Sequence, residues 1–325
     1  MQLKIHQVVR PLEYPFSITG YTFENLDAIW VELNHQGSTG RGEGIGAYYL
    51  GDTREKLTAQ LEAIRDKIEA GITREEAREL LPAGGALNAL DCALWDLECK
   101  QSGETIWQKL NIEPKNLKTV ATIGMGTDEF MAKRARDFAS CDNIKIKLDA
   151  ERPLERVQLI RNERPDANLV IDANQAWTRE MLDELLPGLA KLDVKLVEQP
   201  LRRGDDENLR GLKSPIPIGA DESCLTMEEY RRFGELYDVI NIKLDKCGGL
   251  TSALELAQAA LADGKKLMVG NMTGSSLSMA PAFVIGQFCE FVDIDGPLLL
   301  AQDIENGLEY LDGGVVTPPV SALWG

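Results

Sequence analysis

Histidine is nearly absent from this sequence. In 325 residues it occurs only as His6 and His35, both near the N-terminus and both read as structural. Histidine is the commonest general base and metal ligand. Ser-His-Asp hydrolysis, zinc hydrolysis and histidine-based racemisation are therefore disfavoured, and acid-base work falls to lysine or carboxylates. Positive charge is also scarce. A formal net charge of -17 argues against a nucleic-acid partner and against an anionic membrane surface. No apolar run approaches the roughly 20 residues needed to span a bilayer. The opening Met1-Gln2-Leu3-Lys4-Ile5-His6 lacks the apolar core of a signal peptide. The six cysteines are scattered without a Cys-x-x-Cys pair, which points to reduced thiols in a cytoplasm. No Gly-x-Gly-x-x-Gly lies between a strand and a helix, so there is no dinucleotide fingerprint.

What is present falls into two textures. Up to about residue 115 the chain reads as α+β. Leu3 to Val9 alternates as a strand, Pro11 to Asp27 reads as a turn-rich loop, and Ala28 to Leu33 is a second strand. Glycines at 37, 40, 42, 44 and 46 read as turn chemistry in a loop. Helices follow. Asp52 or Thr53 caps one to about Ala70, Thr73 and Glu76 form a capping box, and Ala86 to Lys100 carries a leucine stripe at helical spacing.

From about residue 118 strands and helices alternate. Strands are expected at Val120–Gly124, Ile144–Leu148, Leu169–Ala173, Lys195–Gln199, Ile216–Ala220, Val239–Leu244, Leu267–Gly270 and Phe291–Ile294. Helix-like segments between them include Asp128–Phe138, Leu154–Arg161, Arg179–Leu192, Met227–Leu236 and Leu250–Ala262. Eight strands separated by helices make the βα repeat of a barrel. The expected division is a capping module over 1–115, completed by about 301–325, and a barrel over 116–300.

Chemistry in such barrels gathers at the C-terminal ends of the strands. Period-two alternation puts Lys145 and Lys147 on one face of their strand. Two ammonium groups side by side call for anions nearby, unless the strand is a lysine-guarded edge. The next three strands end in Asp172, Glu198 and Asp221, and the sixth carries Lys243. Three carboxylates share a small volume only with a cation between them. Oxygen-only ligands select a hard ion, most simply magnesium.

The ordered set Lys145-x-Lys147, Asp172-Ala-Asn, Glu198-Gln-Pro, Ala-Asp221-Glu-Ser and Asn-Ile-Lys243 resembles the muconate-lactonising subgroup of the enolase superfamily, over essentially the whole chain. The resemblance implies a modified (β/α)₇β barrel with an α+β capping domain. It implies one Mg²⁺ per subunit on Asp172, Glu198 and Asp221, and Lys147 and Lys243 as acid/base pair on opposite faces of a substrate α-carbon. Lys145 would neutralise the substrate carboxylate, with Lys246 a competitor for the strand-six role.

Within the subgroup, Asp293-Ile-Asp295-Gly-Pro is similar to the dipeptide epimerases, where such a pair binds the substrate α-ammonium. Asn271 and Thr273 join the expected substrate-binding set, with Tyr21, Phe23 and Glu24, which the first capping loop offers. The implied activity is that of an isomerase, a 1,1-proton transfer at the C-terminal residue of a dipeptide through an enolate. The alternatives are an L-Ala-D/L-Glu epimerase proper, an o-succinylbenzoate synthase or an N-acylamino acid racemase. Ala-Glu epimerases carry an arginine in the first capping loop, and residues 16–25 hold none. That favours an apolar, aromatic or cationic side chain over glutamate. The expected partner is a small dipeptide, with homo-oligomerisation left open.

Overall fold

The computed structural model describes residues 1–325. The chain opens with an antiparallel sheet of β1 (Gln2–Ile18), β2 (Tyr21–His35) and β3 (Ser38–Gly44), in that order. The segment from Pro11 to Asp27 is therefore not a loop. It is the far half of a long β1–β2 hairpin, with a register shift between Pro11 and Phe16. Proline is tolerated because β1 is the edge strand of its sheet, where Pro11 loses only an N–H and its carbonyl still accepts from Ala301 N at 3.0 Å. The hairpin tip reaches the second module, where Thr19 Oγ1 donates to the Leu148 carbonyl at 3.1 Å.

The glycines from 38 to 44 are likewise strand, not turn. β3 lies flat against the helix Gly85–Ser102. A Cβ on Gly40, Gly42 or Gly44 would sit 2.1–2.2 Å from a carbonyl oxygen of that helix. Alternation puts all three on one face, so the bare stripe lets sheet and helix backbones touch. The helix is buried almost all round. Shorter helices, Arg54–Glu62, Arg65–Gly71 and Arg74–Leu80, close the sheet's other flank, and the Thr73 capping box is present.

After the two-residue strand β4 (Leu117–Lys118) come eight parallel strands: β5 (Val120–Ile123), β6 (Asn143–Lys147), β7 (Asn168–Asp172), β8 (Val194–Glu198), β9 (Ile218–Ala220), β10 (Val239–Ile242), β11 (Lys266–Val269) and β12 (Phe291–Val292). They neighbour one another in chain order, as βα repeats require. The seam between β12 and β5 is bridged by side chains. Thr119 Oγ1 accepts from Ile294 N at 3.0 Å, and Asp295 Oδ2 accepts from Thr122 N at 2.7 Å.

The last strands, β13 (Tyr310–Leu311) and β14 (Val315–Val316), pair with β4. Beyond them the tail returns to the first module. Trp324 Nε1 donates to the Cys92 carbonyl at 2.9 Å, and Gly325 N to Asp96 Oδ1 at 2.8 Å. No helix is long and apolar enough to cross a membrane.

Buried carboxylates join the modules. Glu43 of β3 accepts from Ser275 N (2.8 Å) and Ser275 Oγ (2.7 Å) at the start of the helix Ser276–Gly286. Asp91 does the same for Thr251, at 3.0 and 2.6 Å. Asp245 receives Ile45 N and Gly46 N at 2.8 and 3.1 Å. Each carboxylate meets backbone N–H groups that would otherwise be buried unpaired.

Gly42→Ala forces the β3–helix contact apart. Its expected cost is about 1–3 kcal/mol or more, read as a lower urea midpoint at unchanged secondary structure. A wild-type midpoint would contradict the account of the glycine stripe.

Candidate active site

Parallel register builds the site. Lys147 pairs with Asp172 across β6–β7, and Asp172 with Glu198 across β7–β8. Glu198 pairs with Gly219, which puts Asp221 just beyond the next strand end. The three acids are at most 2% exposed, and one oxygen of each lies within 4.8 Å of the others. At such separations like charges repel by roughly 4 kcal/mol per pair at an effective dielectric of about 20. Cations must answer that repulsion.

Lysines do so from three sides. Lys145, 1% exposed, lies 2.7 Å from Glu198 Oε2, 3.2 Å from Asp172 Oδ2 and 2.8 Å from Asp293 Oδ2. Lys147 Nζ donates to Asp172 Oδ2 at 2.6 Å, at one end of the row. Lys243 Nζ donates to Asp221 Oδ2 at 2.7 Å, at the other. Four strand steps separate β6, which carries Lys147, from β10, which ends at Lys243. Lys246 sits behind Asp221, bonded to its carbonyl at 2.8 Å and paired with its carboxylate.

The titration of the row reflects this. Burial works against charge on Asp172, but Lys147 and Lys145 hold its pKa at about 2. Lys243 and Lys246 likewise hold Asp221 well below the usual carboxylate range against burial. Burial, reinforced by Asp172, pushes Glu198 up to about 7. Glu222, buried beside Asp221, is also pushed up to about 7, by burial first and Asp221 second. Burial opposes the charge on Lys145, yet Asp293, Glu198 and Asp172 keep its pKa well above the ordinary lysine value.

The oxygens are short of partners. Ten buried side-chain nitrogen or oxygen atoms in the whole chain lack a hydrogen bond. Five are nitrogens elsewhere. The other five are all oxygens in or beside this site: Tyr49 OH, Asn174 Oδ1, Glu222 Oε2 and Asn241 Oδ1, with Glu198 Oε2, whose close neighbour is the Lys145 ammonium at 2.7 Å. Three buried carboxylates that offer only oxygen, with further unpaired oxygens around them, suit a hard divalent cation. Asp172, Glu198 and Asp221 are the residues that could hold it.

Gln199 braces this row. It is fully buried at φ 37°. Its Oε1 receives Asp221 N at 2.9 Å and Ser223 N at 3.1 Å, while its Nε2 donates to Ser223 Oγ and the Leu201 carbonyl, both at 2.9 Å. Asn241 Nδ2 donates to Glu198 Oε1 at 2.6 Å. Asn174, Gln175 and Thr273 share the left-handed backbone at strand ends, a conformation that costs free energy outside glycine and gathers at functional sites. Sequence reasoning missed Gln199, Asn241, Asn174 and Glu222 as site residues. Their signal was position alone, one or two residues from an acid or a lysine.

Above the row lies a cleft. Phe16, Phe23, Tyr48 and Tyr49 wall it from the first module, and Lys147, Asp221, Glu222 and Lys243 from the barrel. Asn271 and Thr273 line it too. Phe23, Tyr48 and Thr273 also face an outer cavity of about 220 Å³, with Tyr21, Asp27 and Arg54. The rings of Tyr21, Phe23 and Tyr48 cluster at centroid distances of 4.5–5.2 Å. Glu24 is exposed and lines neither space.

Asp293 and Asp295 meet at Asn271, whose Nδ2 donates to Asp293 Oδ1 at 2.8 Å and to Asp295 Oδ1 at 3.3 Å. Neither is among the cleft's lining residues. Asp293 is held by Lys145, and Asp295 by the barrel seam. Arg54, at the start of the helix Arg54–Glu62, reaches the outer cavity and pairs with Asp27 at 3.1 Å.

Barrel, acid row and flanking lysines define an enolase-like protein, and residues 130–321 match the enolase C-terminal domain-like family model. Residues 1–110 match the N-terminal domain of mandelate racemase / muconate lactonizing enzyme, and the chain belongs to that family. It is 38% identical over 314 residues to the L-Ala-D/L-Glu epimerase of Escherichia coli, covering 96% of this chain and 98% of that protein. It is 42% identical over 245 residues to the N-acetyl-D-glutamate racemase of a Pseudoalteromonas species, covering 75% and 78%. Among solved structures, the dipeptide epimerase of Enterococcus faecalis in complex with Mg and L-Leu-L-Tyr superposes with a TM-score of 0.92. Its identity is 26%, with 99% of this chain and 98% of that one covered.

Gln199→Leu strands the N–H groups of Asp221 and Ser223. The expected loss is about 2–4 kcal/mol of stability, from two buried donors at about 1–2 kcal/mol each, measured by urea unfolding of the metal-free protein. Gln199→Glu keeps an acceptor for both N–H groups and should recover part of it. Equal stability of Gln199→Leu and wild type would contradict the bracing role.

Proposed function

We propose that the chain is a magnesium-dependent isomerase that inverts the α-carbon of the C-terminal residue of a dipeptide. The observation that carries this is the placing of Lys147 and Lys243 at opposite ends of one buried acid row. The E. coli relative, and the Enterococcus complex with Mg and a dipeptide, support it. Asp172, Glu198 and Asp221 hold the ion. Bound there, magnesium supplies positive charge for the substrate carboxylate, on which charge grows as the α-proton leaves.

The chain's own groups do the rest. Lys145 adds a second fixed positive charge, desolvated and held protonated by its acidic neighbours. One of Lys147 and Lys243 removes the α-proton, and the other returns a proton to the opposite face. Burial opposes the charge of Lys243, but Asp221 above all keeps its pKa above the ordinary value. Once those carboxylates share their charge with a cation, Lys243 loses the support that retains its proton. The aromatic wall of Phe23, Tyr48 and Tyr49 covers the cleft and excludes water from the exchange. Asn271 and Thr273 position the substrate, while Tyr21 and Phe23, with Arg54, face its side chain. Glu24 is left outside this set.

Asp293 and Asp295 are proposed to take the free α-ammonium of the dipeptide. Their present partners favour a second reading. Both carboxylates are already satisfied within the barrel, and an N-acylated amino acid, which has no ammonium, would leave them so. The Pseudoalteromonas relative acts on such a compound. We further take residues 1–115 with 301–325 as a capping domain, 116–300 as the catalytic barrel, and the cytoplasm as its compartment.

The test is α-proton exchange in D₂O with Mg²⁺ over dipeptides and N-acetyl amino acids carrying acidic, apolar, aromatic and basic side chains. Deuterium should enter the C-terminal α-carbon of a dipeptide, with both epimers formed. EDTA should abolish the exchange and Mg²⁺ restore it. No exchange with any dipeptide would overturn the dipeptide assignment, and exchange confined to N-acetyl substrates would establish the second reading. Asp295→Asn should lower kcat/KM for free-amine dipeptides at least tenfold, worth about 1.4 kcal/mol, and leave N-acetyl substrates unaffected.

A further inference from the structure

Two of the partnerless oxygens, Asn174 Oδ1 and Glu222 Oε2, belong to residues lining the cleft beside Lys243 and Asp221. Glu222 is 3% exposed. Each is tied to the acid row through the chain. Asn174 lies two residues past Asp172 and donates its N–H to Asp172 Oδ1 at 2.9 Å. Glu222 directly follows Asp221. The two side chains also meet, Asn174 Nδ2 donating to Glu222 Oε1 at 3.4 Å. That bond sets the amide's orientation. Its nitrogen is turned to Glu222, so its oxygen is the end left free. Asn174 Oδ1 is therefore an acceptor, and Glu222 Oε2 is one when its carboxyl is ionised, the form a nearby cation favours; neither has a donor from the chain.

A magnesium ion takes about six ligands and gives up its water reluctantly. Three carboxylates do not fill that shell. Water on a cation turns its lone pairs to the metal and can only donate outward, so it needs acceptors within the protein. We propose that Asn174 Oδ1 and Glu222 Oε2 accept hydrogen bonds from water carried by the cation on Asp172, Glu198 and Asp221. This rests on the reading of those three residues as the cation site. It makes Asn174 and Glu222 positioning residues for the ion. The backbone agrees. Asn174 sits at φ 41°, a left-handed conformation that asparagine tolerates better than most residues, and the adjoining acid takes up its N–H.

The experiment is Mg²⁺ binding by calorimetry to the full chain without substrate. Asn174→Gly removes the acceptor without altering charge and suits the left-handed backbone. It should raise the Kd for Mg²⁺ at least tenfold, in line with the 10- to 100-fold effects of groups that hold a metal's ligands in place. Asn174→Asp restores an acceptor and should restore affinity. Glu222→Met should weaken binding as Asn174→Gly does, and Glu222→Gln should recover part of it. The thermal midpoint of each metal-free variant separates loss of affinity from loss of fold. A Kd within twofold of wild type in both Asn174→Gly and Glu222→Met would overturn the proposal. So would unchanged Mg²⁺ affinity with a raised substrate KM, which would assign the two oxygens to a substrate N–H. If wild type itself binds no Mg²⁺, the cation reading falls and this proposal with it, whereas a failed dipeptide assay alone leaves it standing.

Discussion

Everything in this molecule is arranged about one electrostatic problem, the burial of several carboxylates in a barrel mouth. Asp172, Glu198 and Asp221 are at most 2% exposed, and Asp293 and Asp295 lie close by. Such a group survives burial only if each charge finds a counter-charge or a donor. Lys145 answers three of the acids from the centre, and Lys147 and Lys243 answer the row's two ends. On the proposed reading, a cation held at the row would take over part of that work and leave the end lysines free to exchange protons. On that reading, structural counter-ion and catalytic base are the same side chain in two charge environments.

The first module serves this arrangement by covering it. The hairpin brings Phe16 and Phe23 over the cleft, and the segment after β3 brings Tyr48 and Tyr49. They hold their places because buried carboxylates on either side, Glu43, Asp91 and Asp245, each bond the other module's backbone. The glycine stripe of β3 gives the same result by another means. It lets the long helix lie close against the sheet, so Glu43 and Asp91 approach the barrel together.

Much of this was legible in the sequence, and the failures have physical causes. The barrel strands were placed within one residue, except that β9 starts two residues later and β10 and β12 end two sooner, because βα units repeat one simple pattern of burial. The acid and lysine positions followed, since strand ends are where a barrel exposes side chains. The helix Ser276–Gly286 was missed because it is apolar on every side and shows no amphipathic period. The hairpin read as a loop because Pro11, Pro15 and Gly20 are turn residues, and only tertiary pairing shows that the edge strand tolerates them. Arg54 and the seam contact of Asp295 were beyond reach for another reason. One comes to the cavity from a different element, and the other closes a seam formed by the two ends of the barrel.

The central claim is that two lysines work on opposite faces of one carbon. It is tested most directly by Lys147→Ala and Lys243→Ala, each given the two epimers of a turned-over substrate separately in D₂O. The account requires that racemisation fall at least a thousandfold, about 4 kcal/mol, in both variants. It further requires that each variant still wash out the α-proton of one epimer only, and that the two variants choose opposite epimers. Exchange of both epimers at wild-type rates by either variant would show that the lysine replaced is not a base at that carbon, and would contradict the account.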